Sequence, residues 1–347
     1  MKTVSAPFPA RLNALRAAQR RNRYQIIAGL FALIIAGVAL TLMRGQSFTP
    51  PMTVIRVLSG DDIAGASFAI RELRLPRAVM AVLTGLCFGL GGAAFQTLLR
   101  NPLASPDIIG ISAGASAAAT IAIIFFGLGG AAVSLIAVSA ALGVAALIAV
   151  LAGRGAAAGT RLVLIGIGLS AMAQSLTAWA LTQAPSWSRA EALRWLSGSL
   201  NGATLAAALP LLAALVICSA VLISRSPALE AMRMGEDMAA GLGVSPARTR
   251  LIVALAAVGV IAFATAAAGP IAFVAFLAGP IAAQLSKRGG PILIPAALVG
   301  AALVLLADFT GQFLLPARLP VGIVTGALGA PYLIYLLIRI NRQGGAL

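Results

Sequence analysis

The sequence predicts an all-α, polytopic membrane protein of about ten transmembrane helices, and three observations lead there. Of its 347 residues 60% are hydrophobic and 10% charged, with a mean hydropathy of +1.01, whereas soluble domains carry about 25% charged residues. The apolar residues form runs such as "QIIAGLFALIIAGVALTLM", which leave no polar face for water and so exclude one large soluble core. Lys and Arg fall unequally on alternate connections between these runs.

A span needs about 20 predominantly apolar residues. That places helices at 25–43, 77–99, 108–127, 131–152, 161–183, 204–223, 250–268, 270–285, 292–315 and 321–340. The first follows a basic tail, 1–24, with Lys2, Arg11, Arg16, Arg20, Arg21 and Arg23. A secretory signal has the same order, but its apolar region runs only about 7–15 residues, so this run is read as a retained span. Residues 85–96, "GLCFGLGGAAFQ", set Gly85, Gly89 and Gly92 or Ala93 on one face, a seam where neighbouring backbones approach. Asn101-Pro102, Ser105-Pro106, Ser226-Pro227 and Ser245-Pro246 each offer a side-chain cap followed by Pro at the first helical position. Asp107 suits a helix N-terminus. Gly269-Pro270 interrupts the seventh and eighth runs and marks a kink or a re-entrant bend.

Ten spans put both termini on one side, which would carry 17 basic residues against eight on the other, so the termini and residues 341–347 are expected in the cytoplasm. The net charge of +16 is topological, because the basic residues are not gathered with aromatics into a nucleic-acid surface. The chain has no His, and Cys87 and Cys218 lie inside apolar runs, so neither a metal site nor a disulfide is read. Its two lysines, Lys2 and Lys287, lack the Gly-Lys-Ser/Thr of a P-loop. No membrane-enzyme motif is present. Asp308 is the one acid well inside an apolar run, and it keeps a proton-coupled carrier open as the alternative to a driven transporter.

"AMRMGEDMAAGLGV", 231–244, differs from its surroundings. A helix can start at Ser226-Pro227 and stop at Gly241 and Gly243, with Ala231, Met234, Met238 and Leu242 as an apolar stripe and Arg233, Glu236 and Asp237 opposite. So short a helix needs a partner surface, and its acids favour a cytoplasmic protein over lipid.

Over nearly its whole length the chain resembles the permease family of binding-protein-dependent ABC importers for ferric siderophores and vitamin B12. The residues are "RLPR" (74–77), "RNPLASPDIIGISAGAS" (100–116), "WLSGSL" (195–200), "MGEDMAAGLGV" (234–244), "GPIAFVAFLAGPIA" (269–282), "LADFTGQ" (306–312) and "RLPVGIVTGALGAPYLIYLL" (318–337). The resemblance implies a type II ABC importer permease fold, with a translocation path at the interface of a homo- or heterodimer. It also implies two cytoplasmic ATPase subunits, which would bind ATP and Mg while this chain holds no cofactor, and a periplasmic or lipid-anchored substrate-binding protein. Its cargo would be a ferric siderophore or, as the alternative, vitamin B12 or haem. The region 226–244 becomes a pair of coupling helices, with Met234, Gly235, Glu236, Ala239, Leu242 and Gly243 meeting the ATPase. Arg74 and Arg77 match arginines that face the binding protein. Asn101, Pro102, Gly114 and Asp308 fall in motifs of the path or its frame. The chain departs from the family at Gly279-Pro280, Gln312 and Arg318, and Arg318 is read as a relocated docking arginine.

Overall fold

A computed structural model of the chain describes residues 8–45, 48–105, 110–153, 158–286 and 290–342, all-helical with no strand among them. Asp107, Arg154, Lys287, Arg288 and the extremes of both tails lie outside these residues. The helices are α1 (Phe8–Met43), α2 (Pro51–Leu58), α3 (Ala66–Phe68), which passes through a π-helical turn (Ala69–Arg74) into α4 (Leu75–Leu98), α5 (Ile111–Phe126), α6 (Gly130–Ala152), α7 (Ala158–Gln183), α8 (Ser186–Leu196), α9 (Leu205–Ser224), α10 (Ser226–Arg233), α11 (Glu236–Gly241), α12 (Pro246–Ala268), α13 (Val274–Leu285), α14 (Leu293–Phe313) and α15 (Val321–Arg342).

Each of the ten expected apolar runs is a helix. Seven are long and apolar enough to cross a membrane, and α5, α13 and the apolar part of α15 are shorter. The bend at Gly269-Pro270 is real: α12 stops at Ala268, Gly269 and Phe273 take positive φ of 72° and 65°, and α13 starts only at Val274. The basic tail is no loose segment from Phe8 on, because Ala10–Ala28 contains neither Gly nor Pro and is rich in Arg and Ala, so the helix runs unbroken into the first span.

The Pro-based helix starts are corrected in part. The Asn101 side chain accepts from Leu103 N at 2.9 Å in a turn, and α5 begins ten residues later after Gly110. Ser245 precedes Pro246 as expected but makes no side-chain cap bond, and α10 starts on Ser226 itself. A side chain that does cap is Thr204, which accepts from Ala207 N at 3.2 Å.

α4 is the buried axis of the bundle. Its glycine seam packs on α14 and α13: a Cβ on Gly85 would stand 2.5 Å from Ala301 Cα, so only the bare backbone fits. Gly114 of α5 instead faces a side chain, Val144 of α6, whose Cγ2 would stand 2.5 Å from an added Cβ. At one end of the bundle the chain is knotted by backbone bonds, Ser199 N to Ala268 O at 2.8 Å, Gly322 N to Gly198 O at 3.1 Å and Leu319 N to Gly311 O at 3.0 Å. The opposite end carries α10 and α11.

Candidate transport site

Residues 226–244 form two helices and not one. Gly235, at φ 120° and ψ 149°, breaks the run between α10 and α11, and Gly243 at φ 82° ends the second. Both occupy backbone conformations that only glycine adopts without strain. A Cβ at either would meet nothing, so backbone shape and not space requires them. The break redistributes the apolar stripe. Leu229, Met232 and Ala239 turn inward against the core, while Met234, Met238 and Leu242 stand out at 63%, 58% and 63% exposure. Glu236 pairs with Arg250 in the second turn of α12. Glu230 pairs with Arg233 at 3.2 Å. The result is an apolar knob of flexible side chains fixed to the base of α12, suited to insertion into a cleft.

At the knotted end the arginines of "RLPR" are already engaged. Arg74 donates to the carbonyls of Leu42 at 2.7 Å and Met43 at 3.3 Å and to Thr49 Oγ1 at 2.9 Å, so its charge closes the C-terminus of α1. Arg77 holds Asp308 on both carboxylate oxygens, Nε to Oδ2 and Nη2 to Oδ1, each 2.7 Å. Its third donor reaches Asn201 Oδ1 at 2.8 Å. The Asp308 side chain is only 3% exposed. This fork ties α4 and α14 to the α8–α9 connection. It also occupies the carboxylate that a proton-coupled carrier would have to leave free. Arg318 is exposed on the 314–320 connection.

Between these ends runs an open groove of about 650 Å³. It is lined by Ser112 and Ser116 of α5, Gln174 and Thr177 of α7, and Phe273 and Phe276 beside the bend. Among the described residues no charged side chain lines it. Asn101 and Pro102 lie in the turn after α4 and outside this lining, as does Gly114, so the structure divides the motif between turn, packing contact and groove wall. Sequence reasoning missed Arg250, Asn201 and the groove residues. The helix start at Pro246 was visible, but the partners only meet once the chain folds.

A family model described as the FecCD transport family matches residues 33–339. The chain is 40% identical over 323 residues to the ferric enterobactin transport system permease protein FepG of Escherichia coli, covering 92% of this chain and 94% of that protein. It is 36% identical over 311 residues to the achromobactin transport system permease protein CbrC of Dickeya dadantii, covering 88% and 89%. The vitamin B12 import system permease protein BtuC of Citrobacter koseri is 30% identical over 330 residues, covering 93% and 97%. A solved metal-chelate type ABC transporter in an inward-facing conformation superposes with a TM-score of 0.80 at 27% identity, covering 91% of this chain and 99% of that one. The chain is therefore a member of the FecCD transport family, a helical transport permease of the membrane.

Proposed function

We propose that the chain is the permease subunit of an ABC importer that carries a ferric siderophore across the bacterial inner membrane. The observation that carries this reading is the apolar knob of Met234, Met238 and Leu242 on a glycine-bounded helix pair, because it gives a separate motor a place to grip. Two ATPase subunits bind ATP and Mg and seat this knob, and Met234, Gly235, Glu236, Ala239, Leu242 and Gly243 set the contact. Residues 25–340 act as one transmembrane unit with both termini in the cytoplasm. A second permease copy, or a sister chain, faces the groove and completes the path. A periplasmic or lipid-anchored binding protein docks at the knotted end, with Arg318 as its exposed cation and Arg74 and Arg77 shaping the surface from beneath.

The greater identity to the enterobactin and achromobactin permeases than to the vitamin B12 permease supports a siderophore cargo. The lining, neutral among the described residues, supports passage without tight binding, since it offers no cation to retain an anionic chelate. Uptake of radiolabelled iron by vesicles carrying the complete importer tests the reading. ATP-dependent accumulation of an iron–siderophore chelate such as ferric enterobactin is expected, and accumulation of labelled vitamin B12 in its place would overturn the cargo.

A further inference from the structure

We infer that the part of α1 beyond its apolar run is a binding site for anionic phospholipid headgroups, built by Arg20, Arg21 and Arg23 with Tyr24 beside them. The inference rests on the chain's spanning a membrane and on nothing about its cargo. The apolar run Gln25–Met43 is ~28 Å long at ~1.5 Å per residue, which fills a hydrocarbon layer of ~30 Å and puts Gln25 at its edge. Along the helix from that edge Arg23, Arg21 and Arg20 sit ~3, ~6 and ~7.5 Å out. The headgroup layer is roughly 5–7.5 Å deep, so all three guanidiniums stand within it.

Their charge is uncompensated. No acidic residue precedes Asp61 in the chain, and none of the ion pairs among the described residues includes these arginines. The Arg23 Nε is covered and finds no hydrogen-bond acceptor among the described residues. A covered guanidinium N–H without an acceptor is costly, and rotation of the side chain into the headgroup layer relieves it, because a phosphate oxygen there supplies both the acceptor and the opposite charge. On another flank Arg21 borders a cleft of about 510 Å³ with Ala17, Ala18 and Gln25, where two small side chains leave room beside the cation. Tyr24 is 71% exposed, the position of an aromatic at a membrane interface. The depth selects the source: a lipid phosphate is held at this level, whereas a soluble phosphate is not.

The test places a photo-crosslinking benzoylphenylalanine at Tyr24 of the full-length chain, reconstituted with its ATPase in vesicles of equal phosphatidylglycerol and phosphatidylcholine. Phosphatidylglycerol adducts should exceed phosphatidylcholine adducts about fivefold or more, since basic side chains near an anionic surface each add attraction of that order. Combined Arg20→Gln, Arg21→Gln and Arg23→Gln should bring the ratio near one, as should high salt. Combined Lys replacements, which keep charge and insertion, should retain most of the preference. Equal adducts in the unsubstituted chain, loss of the preference to excess soluble glycerol phosphate, or a dominant crosslink to the ATPase would each overturn the inference.

Discussion

Arg77 and Asp308, 231 positions apart in the chain, meet at the knotted end of the bundle in a two-pronged ion pair whose carboxylate is almost closed to solvent. Removing one partner of a buried pair strands the other charge, at a cost of about 3–5 kcal/mol. Asp308→Asn should therefore lower the melting temperature in detergent clearly, and the exchanged pair Arg77→Asp with Asp308→Arg should recover part of it. Uptake by the intact importer should also withstand collapse of the proton gradient while ATP is supplied. A well-folded Asp308→Asn protein whose uptake had lost a dependence on that gradient would restore the carrier reading.

The pair of Glu236 with Arg250 is of a different kind. Both side chains are more than a third accessible or close to it, so the pair contributes less than about 1 kcal/mol to stability. Glu236→Lys should leave folding intact and reduce transport and the ATPase activity stimulated by binding protein. The exchange Glu236→Arg with Arg250→Glu separates two roles. If the pair fixes α11 on α12, the exchange restores coupling; if Glu236 touches the motor directly, it does not.

The exposed trio Met234, Met238 and Leu242 has no stabilising task within the chain. Replacing all three by Ser should leave thermal stability within about 0.5 kcal/mol per site and weaken co-purification of the ATPase about tenfold or more. Undiminished co-purification would move the motor's seat elsewhere.

Apolar runs alone located the ten helices, seven of them long enough to cross a membrane, since lipid demands that each satisfy its own backbone. Composition could not reveal α8, whose sequence "SWSRAEALRWL" is too polar to register as a span, or α2, which has only eight residues. The coupling stretch was legible as an oddity, but its division in two hinged on a single φ at Gly235. The Arg77–Asp308 pair was not legible. Both residues were singled out, one as a docking cation and the other as a lone acid, and a single sequence carries no signal that they are partners. The knob's outward face and the groove's neutral lining likewise depend on how α10, α11, α5 and α7 pack, which periodicity does not encode.

The departure at Gly279-Pro280 has its explanation in α4. Pro280 lies inside α13 and has no N–H, so the carbonyl of Phe276, four residues earlier, loses its helical donor. Gln96 of α4 supplies one, Nε2 to Phe276 O at 2.9 Å, in a buried setting. Gly279 makes this possible, because a Cβ there would collide with the Gln96 amide. Gln96→Leu should leave that carbonyl unpaired and cost about 1–3 kcal/mol. Gly279→Ala should force the amide aside and cost a similar amount, about 1–3 kcal/mol. If Gln96, Gly279 and Pro280 act as one unit, the double variant should cost clearly less than the sum of the two, since displacing an amide already absent adds little. Melting of the four proteins in one detergent gives the cycle. Full additivity would mean that the glycine and the glutamine serve separate contacts, and that the bond from Gln96 to the Phe276 carbonyl does not depend on Gly279.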